Sequence, residues 1–420
     1  MKPARLLALA ALAAGAMHGA AACGETQAEP PTPVVADAST DGALAADGGL
    51  EKEASAADGS TPTGDASVDA ALCNADLATS LQHCGACFHD CSGGACAGGL
   101  CTLSGGATAL YGALGLGAFG GDLFVASGGD AAGIHSCKKT GCLSLGPTRV
   151  NADVDAAGTV PSSVVGYGGY VYWTERYQTG GGAYRTPLDG GPTVRVSKGD
   201  SFSSSAGIAV SDAGIAWAND DFDQRVAFCP LGLCAGAAAL LPNAVGNLSK
   251  GFSRAITFAP DNSIVWTENG HLVRCAAPAC PTPHTIVNST ALGALAISGT
   301  TVFWAASLLD SILSCPLTGC VGGIPTTVVA NQTEGTLSSL AIAGTTLVWT
   351  LEGSRGDAGP TIDGVVRRCD LTNCAGTVRD VATAQAAPVD VLVDETSIYW
   401  VNEGGVGSLA FASTLMKAPR

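Results

Sequence analysis

The chain is poor in charged residues, which make up 13% of its 420 residues, about half the usual share. Only 20 residues are lysine or arginine against 36 acidic ones, and the formal net charge is −16. A nucleic-acid surface must meet phosphate with basic side chains, so we expect no nucleic-acid partner. The scarcity of charge also excludes a helical coiled coil, which needs glutamate, lysine and leucine in quantity.

Long hydrophobic runs are missing as well. The apolar run Leu6 to Ala16 is too short to cross a bilayer. It follows a basic end and precedes the small residues Ala20 to Ala22, the order of an export signal over residues 1–23. Cys23 follows directly, which resembles a bacterial lipoprotein signal. The resemblance implies that Cys23 is lipidated and holds the protein at the outer membrane or cell surface; the alternative is ordinary cleavage and a secreted protein.

Residues 24–72 hold ten acidic residues, one lysine and no aromatic residue. Such a segment cannot bury enough apolar surface to offset its ordering entropy. We therefore expect a disordered spacer between the anchor and a folded part.

Cysteine, by contrast, is abundant. The chain has 17 cysteines, and without Cys23 their number is even, as a full set of disulfides in an oxidising compartment requires. Six of them fall in a cysteine-rich module over residues 73–102 that is too poor in large apolar groups for its own core. Three disulfides are expected there, with 15 pairings open; zinc at Cys84 and Cys87, with His83 and His89 beside them, is the weaker alternative. The six are Cys73, Cys84, Cys87, Cys91, Cys96 and Cys101.

The module also resembles cysteine-rich modules of exported proteins from myxobacteria and their relatives. The resemblance rests on Gln82-His83-Cys84-Gly85-Ala86-Cys87. Modules of this type have no settled function, so the resemblance implies export and nothing about a ligand.

From residue 103 to 420 the chain repeats a unit of small and apolar residues, a turn, an apolar pair and a tryptophan. Six copies carry all six tryptophans, and a first copy has Val125 in that place. The anchors lie 38 to 51 residues apart, and this period with alternating apolar residues is typical of a four-stranded propeller blade. We predict an all-β, seven-bladed β-propeller. The anchors are Val125, Trp173, Trp217, Trp266, Trp304, Trp349 and Trp400.

The last copy is one strand short. We expect its outer strand to come from Ala107 to Tyr111, which would close the ring and remove the exposed sheet edges.

Ten further cysteines form five pairs with identical spacing, each between a third and a fourth strand. Copies that lack one member lack both, as a local disulfide predicts. The expected pairs are Cys137–Cys142, Cys229–Cys234, Cys275–Cys280, Cys315–Cys320 and Cys369–Cys374. No metal site is expected.

Several blades resemble the YWTD propellers of low-density-lipoprotein receptors and, more closely, bacterial exported propellers. The resemblance rests on Tyr172-Trp173-Thr174-Glu175, Trp266-Thr267-Glu268 and Leu415-Met416-Lys417-Ala418-Pro419. Receptor propellers of this type have six blades, so six is the alternative to the seven counted here.

A series of polar residues stands two positions after the anchor and is expected at one end of equivalent strands. They either bond the neighbouring blade or form a polar rim that binds a ligand or cation. The candidates are Ser127, Glu175, Asn219, Glu268 and Asn402.

Catalytic signals are weak: the six histidines are scattered, and nucleophile-elbow, zinc-protease and phosphate-loop motifs are absent from the sequence. We expect a monomeric, non-enzymatic binding or scaffold propeller without a cofactor, apart from the alternative of a structural cation in its channel. The ligand would be a protein or a glycan, and the membrane would be contacted only through the lipid anchor. The alternative is a secreted hydrolase or lyase with Glu175 and Glu268 at the channel mouth.

Overall fold

The computed structural model describes most of the chain between residues 73 and 420. The expected export signal, Cys23 and the acidic spacer lie outside the described residues. No helix in the described part is long and apolar enough to span a membrane. The segments not described are 1–72, 74, 92, 105–109, 111, 129–131, 143–146, 151–159, 177–181, 198–204, 220–224, 235, 243–254, 269, 279, 290–291, 357–358 and 404–411.

The described chain begins with a short hairpin, β1 (Ala95–Ala97) and β2 (Leu100–Ser104). Three antiparallel four-stranded sheets follow, each made of consecutive strands. Blade 1 contains β3 (Ala113–Phe119), β4 (Asp122–Ser127), β5 (Gly133–Lys138) and β6 (Thr148–Arg149); blade 2 contains β7 (Val160–Tyr167), β8 (Tyr170–Arg176), β9 (Gly182–Pro187) and β10 (Val194–Arg195); blade 3 contains β11 (Ser205–Ser211), β12 (Gly214–Asn219), β13 (Val226–Cys229) and β14 (Ala239–Leu240).

Three more sheets have the same topology. The sixth blade also carries a small hairpin, β25 (Arg355–Gly356) and β26 (Gly359–Pro360), and a one-turn helix, α1 (Cys374–Thr377). Blade 4 contains β15 (Ile256–Phe258), β16 (Ser263–Glu268), β17 (His271–Ala276) and β18 (His284–Asn288); blade 5 contains β19 (Leu295–Ser298), β20 (Thr301–Ala306), β21 (Ser311–Pro316) and β22 (Thr326–Val329); blade 6 contains β23 (Leu337–Ala343), β24 (Thr346–Leu351), β25 (Arg355–Gly356), β26 (Gly359–Pro360), β27 (Gly364–Asp370) and β28 (Arg379–Gln385).

The seventh blade joins the two ends of the propeller. It consists of β29 (Pro388–Val393), β30 (Ser397–Asn402) and β31 (Thr414–Pro419), followed in the sheet by β2 and β1. The first strand of each blade contacts the first strand of the next, and β29 contacts β3, so the sheets form a closed ring. The prediction of seven blades is confirmed, and the six-bladed alternative is wrong.

The strand that closes the ring differs from the predicted one. Leu100–Ser104 pairs antiparallel with β31, whereas of the predicted strand only Leu110 is described, and it forms a single bridge to Ser413. The closing strand spans the predicted boundary at residues 102 and 103, so part of the cysteine-rich module serves as the fourth strand of blade 7. The physical reason is that β2 already belongs to a hairpin, and its free edge offers a full strand of hydrogen-bonding groups to β31.

The hairpins of the repeat follow from turn chemistry. In blade 5, Gly299 has φ 55°, a left-handed conformation that glycine adopts without a steric cost. Its turn places Leu295 opposite Trp304 across the first two strands. The same pairing recurs in every blade, with Val125 in place of the tryptophan in blade 1.

Candidate functional site

The tryptophans are buried between neighbouring blades. All six indole rings are at most 2% exposed and rank among the largest fully buried side chains. Trp304 sits in an apolar core shared by blades 4 and 5, and Trp349 sits in one shared by blades 5 and 6. The repeated ring therefore packs the blades and does not contact solvent.

The five predicted polar residues also become buried, each at the same end of the second strand of its blade. Glu175 Oε1 accepts a hydrogen bond from Trp173 Nε1 at 3.3 Å, and Glu268 Oε2 accepts one from Trp266 Nε1 at 3.0 Å. Burial raises the pKa of Glu175, and the indole hydrogen bond opposes that rise. Exposed fractions are 0% for Ser127, 4% for Glu175, 0% for Asn219, 2% for Glu268 and 5% for Asn402.

In blades 6 and 7 the indole acceptor is a glutamine that precedes the blade in the chain: Gln332 lies between β22 and β23, and Gln385 ends β28. Trp349 Nε1 donates to Gln332 Oε1 at 3.0 Å, and Trp400 Nε1 donates to Gln385 Oε1 at 2.9 Å. Asn402 Nδ2 donates to the same Gln385 oxygen at 3.1 Å. Sequence reasoning missed both glutamines, because Gln332 lies 17 residues before its tryptophan and Gln385 lies 15 before its own, so the two share no fixed repeat position.

A central channel of about 1170 Å³ runs between the first strands of the blades. Its walls include the seven apolar residues that pair with the anchor positions. They are Leu116, Val164, Ile208, Ile256, Leu295, Leu340 and Val391.

Charged residues line one part of this channel. Arg355 Nη2 donates to Glu352 Oε2 at 3.0 Å and to Glu403 Oε2 at 2.5 Å, and the two carboxylates raise the pKa of the Arg355 guanidinium. Glu268 also lines the channel, and it is the one member of the predicted polar series that does. We call Glu268, Glu352, Arg355 and Glu403 the acidic mouth, because they lie where second strands end and the next loops begin.

Asp390 lies farther along the channel wall. Its Oδ2 accepts the backbone N–H of Leu116 at 2.8 Å, and its Oδ1 accepts the Ser339 hydroxyl at 2.6 Å. Burial raises the pKa of Asp390. Asp390 is in blade 7, Ser339 in blade 6 and Leu116 in blade 1. This carboxylate therefore links three blades, and each of its oxygens accepts a hydrogen bond from a neighbouring blade.

The cysteines form seven disulfides within the described residues. Five are the local pairs between third and fourth strands, at residues 137–142, 229–234, 275–280, 315–320 and 369–374. Two lie in the module, Cys73–Cys87 and Cys84–Cys96. The other two cysteines of the module, Cys91 and Cys101, are buried close together and are not bonded to each other in this structure. The zinc alternative loses its ligands, because Cys84 and Cys87 are both bonded to other cysteines.

Neither a protein-family model nor a curated protein matches this sequence. Solved structures do match in fold. A streptogramin B lyase is 12% identical with a TM-score of 0.57, over 76% of this chain and 97% of its own. A virginiamycin B lyase from Staphylococcus aureus is 14% identical with a TM-score of 0.54, over 75% and 97%. A nidogen–laminin complex is 14% identical with a TM-score of 0.40, over 67% and 84%. Likeness at this identity shows a common propeller fold alone.

Proposed function

We propose that the chain is a non-enzymatic binding propeller of the cell envelope that takes a protein or glycan ligand at the acidic mouth. The observation that carries this proposal is the channel itself, whose apolar walls also carry Glu268 and the ion-paired group of Arg355, Glu352 and Glu403. Ligand sites of proteins have this composition, with apolar walls and few polar groups that fix orientation. The seven disulfides indicate an extracytoplasmic environment.

The acidic mouth suits a ligand rich in hydrogen-bond donors. Two carboxylates, Glu352 and Glu403, contact the one guanidinium, and Glu268 lines the same channel, so the group as a whole carries an excess of negative charge. Carboxylates bind basic side chains and sugar hydroxyls through charge-assisted hydrogen bonds. Arg355 supplies the complementary donors, and Glu352 and Glu403 hold it in position.

A hydrolase or lyase is the second candidate, and the same carboxylates favour it. Glu268 and Glu403 are both buried, and carboxylates with restricted solvation can serve as general acids or bases. The described residues that line the channel include no histidine, lysine, cysteine or tyrosine, so carboxylates would have to serve as both acid and base. This favours binding over catalysis.

Ligand screening with matched variants tests the proposal. The full chain would be screened for binding against a glycan array and against fractionated envelope proteins, with mass spectrometry of each bound compound to detect turnover. We expect Arg355→Ala and Glu403→Gln to weaken binding about tenfold or more, since each removes a charge-assisted contact. The control is Arg274→Ala, which removes an ion pair with Asp261 at the opposite end of β16 and should leave affinity unchanged. Turnover that Glu268→Gln abolishes would contradict the binding proposal and establish the enzymatic one.

The proposal also includes the lipid anchor at Cys23. We expect Cys23→Ser to move the protein from the detergent-soluble membrane fraction to the aqueous fraction, because the lipid would be the attachment that remains once the signal is cleaved. Fractionation followed by immunoblotting measures this, with Cys315→Ser as the control. An unchanged distribution would show a secreted protein or another mode of attachment.

A further inference from the structure

Two buried thiols lie together at the seam where the ring closes. Cys91 and Cys101 are each fully buried, and their sulfur atoms and that of Cys84 lie within 4.8 Å of one another. A disulfide requires a sulfur–sulfur distance of about 2.05 Å. The two sulfurs would therefore have to approach by less than about 3 Å.

The two thiols belong to different parts of the seam. Cys101 lies on β2, directly opposite Lys417 of β31. Cys91 lies in the loop of the module that contacts blade 1, where Gly93 N donates to the Thr140 carbonyl at 2.8 Å. A bond between them would join this loop to the strand that closes the ring.

We propose that Cys91 and Cys101 form a third disulfide in the exported protein, so that the six cysteines of the module pair first with third, second with fifth and fourth with sixth. One cysteine thiolate attacks the disulfide of a dithiol–disulfide oxidant and expels one oxidant thiolate. The second cysteine thiolate then attacks the mixed disulfide and expels the other. Two protons leave the cysteines, and the oxidant accepts two electrons and becomes a dithiol.

The timing of this reaction follows from the burial of the thiols. Burial raises the pKa of Cys91 and of Cys101, so neither thiolate is well populated in the folded module. The exchange should therefore take place during folding after export, before the two sulfurs are enclosed.

A metal ion is the competing occupant of this cluster, and the geometry disfavours it. His89 Nδ1 lies 2.7 Å from the Cys84 carbonyl oxygen and 4.0 Å from Cys101 Sγ. The Cys84 sulfur is already bonded to Cys96. Two thiols and one engaged imidazole fall short of the four ligands of a structural zinc site.

Peptide mapping of the exported full-length protein tests the pairing directly. The protein would be unfolded and alkylated without reduction, then cleaved after Phe88, Ala95 and Leu100 to separate the cysteines. We expect a linked pair of peptides carrying Cys91 and Cys101, both unalkylated. Alkylation of both residues, a link from either one to another cysteine, or zinc retained in native mass spectrometry would overturn the proposal.

Thiol titration in denaturant is a second test. The number of reactive thiols changes in opposite directions depending on whether Cys91 and Cys101 form a disulfide or are free. If the bond exists, Cys91→Ser releases the Cys101 thiol and raises the count of reactive thiols by one. If both thiols are free, the same substitution lowers the count by one. Cys315→Ser is the matched control, since it breaks a local disulfide and should raise the count by one. If Cys91→Ser does not accumulate, the peptide map of the unmutated protein decides alone.

Discussion

At the scale of single residues, the blades differ in whether the buried indole N–H has an acceptor and in where that acceptor comes from. Blades 2 and 4 place a glutamate on the same strand, whereas blades 6 and 7 use Gln332 and Gln385, which precede the first strand of the blade. A buried polar group without a partner costs about 1–3 kcal/mol. The Trp304 indole nitrogen has no hydrogen-bond partner among the described residues, so the tryptophans are unequal in what their N–H contributes.

This inequality gives a matched pair of substitutions. Trp400→Phe should lower the free energy of unfolding by about 1–3 kcal/mol more than Trp304→Phe, because it also leaves the buried Gln385 oxygen with one donor fewer. Both changes remove similar apolar area, so the difference isolates the hydrogen bond. Urea unfolding monitored by circular dichroism measures it. Equal losses would show that the indole acceptor is dispensable.

His89 makes the module sensitive to acid. Burial, together with the nearby Lys417 cation, lowers the pKa of His89 to about 4, from about 6.5 in an unfolded chain. The unfolded chain therefore binds the proton first, and the stability that the neutral imidazole provides is lost as the pH falls from about 6.5 to about 4.

We expect the thermal midpoint to fall over this pH range, and to fall less in His89→Gln. Scanning calorimetry between pH 7 and pH 4 measures both proteins under the same conditions. Parallel curves would mean that His89 does not control this acid sensitivity.

At the scale of elements, the loop between the third and fourth strands is stabilised by a disulfide in some blades and by a side-chain hydrogen bond in another. Five blades use a disulfide, whereas blade 2 has a hydrogen bond at 2.7 Å between the hydroxyls of Thr186 and Thr193. Each disulfide joins cysteines five positions apart, and closing so short a loop stabilises the folded state by about 2 kcal/mol in the chain-entropy account. These contacts are therefore small and local, and they occur in blades 1 to 6.

Removing one of these disulfides or hydrogen bonds should lower stability only through the blade that contains it. The double variant Cys315→Ser/Cys320→Ser should lower the free energy of unfolding by about 2 kcal/mol, without change in the other blades. Thr186→Val in blade 2 should cost about 1 kcal/mol, the value of one hydrogen bond. Chemical denaturation of both variants provides the comparison, and a loss above 5 kcal/mol from the double variant would contradict a local role.

The elements that could be predicted from sequence are those with a local signal. Alternating residues, a turn and a tryptophan define the first hairpin of each blade, and the five-residue cysteine spacing marks its outer loop. The closing strand has no such signal, because the pairing of Cys101 with Lys417 joins the two ends of the propeller and Leu100–Ser104 resembles the rest of a glycine-rich module. The acidic mouth was foreseen only at Glu268, since Arg355 reaches Glu403 through the irregular hairpin β25–β26.

At the scale of the whole molecule, the module and the ring form one packed unit at the seam. Cys84, Cys101, Leu116 and Tyr399 belong to a single apolar core that spans the module, blade 7 and blade 1. A Cβ atom at Gly141 of blade 1 would lie 2.5 Å from the backbone at Gly93 of the module, which shows how closely the two approach. The module therefore packs against both the last and the first blade and covers the junction between them.

Amide hydrogen exchange of the full-length protein tests this account most directly. If Leu100–Ser104 closes the ring, its amides and those of residues 414–418 in β31 should be protected to the same degree as the outer strand of blade 6, Arg379–Gln385. Exchange of Leu100–Ser104 at the rate of an unstructured peptide, with the other blades still protected, would contradict the claim that the cysteine-rich module completes the propeller.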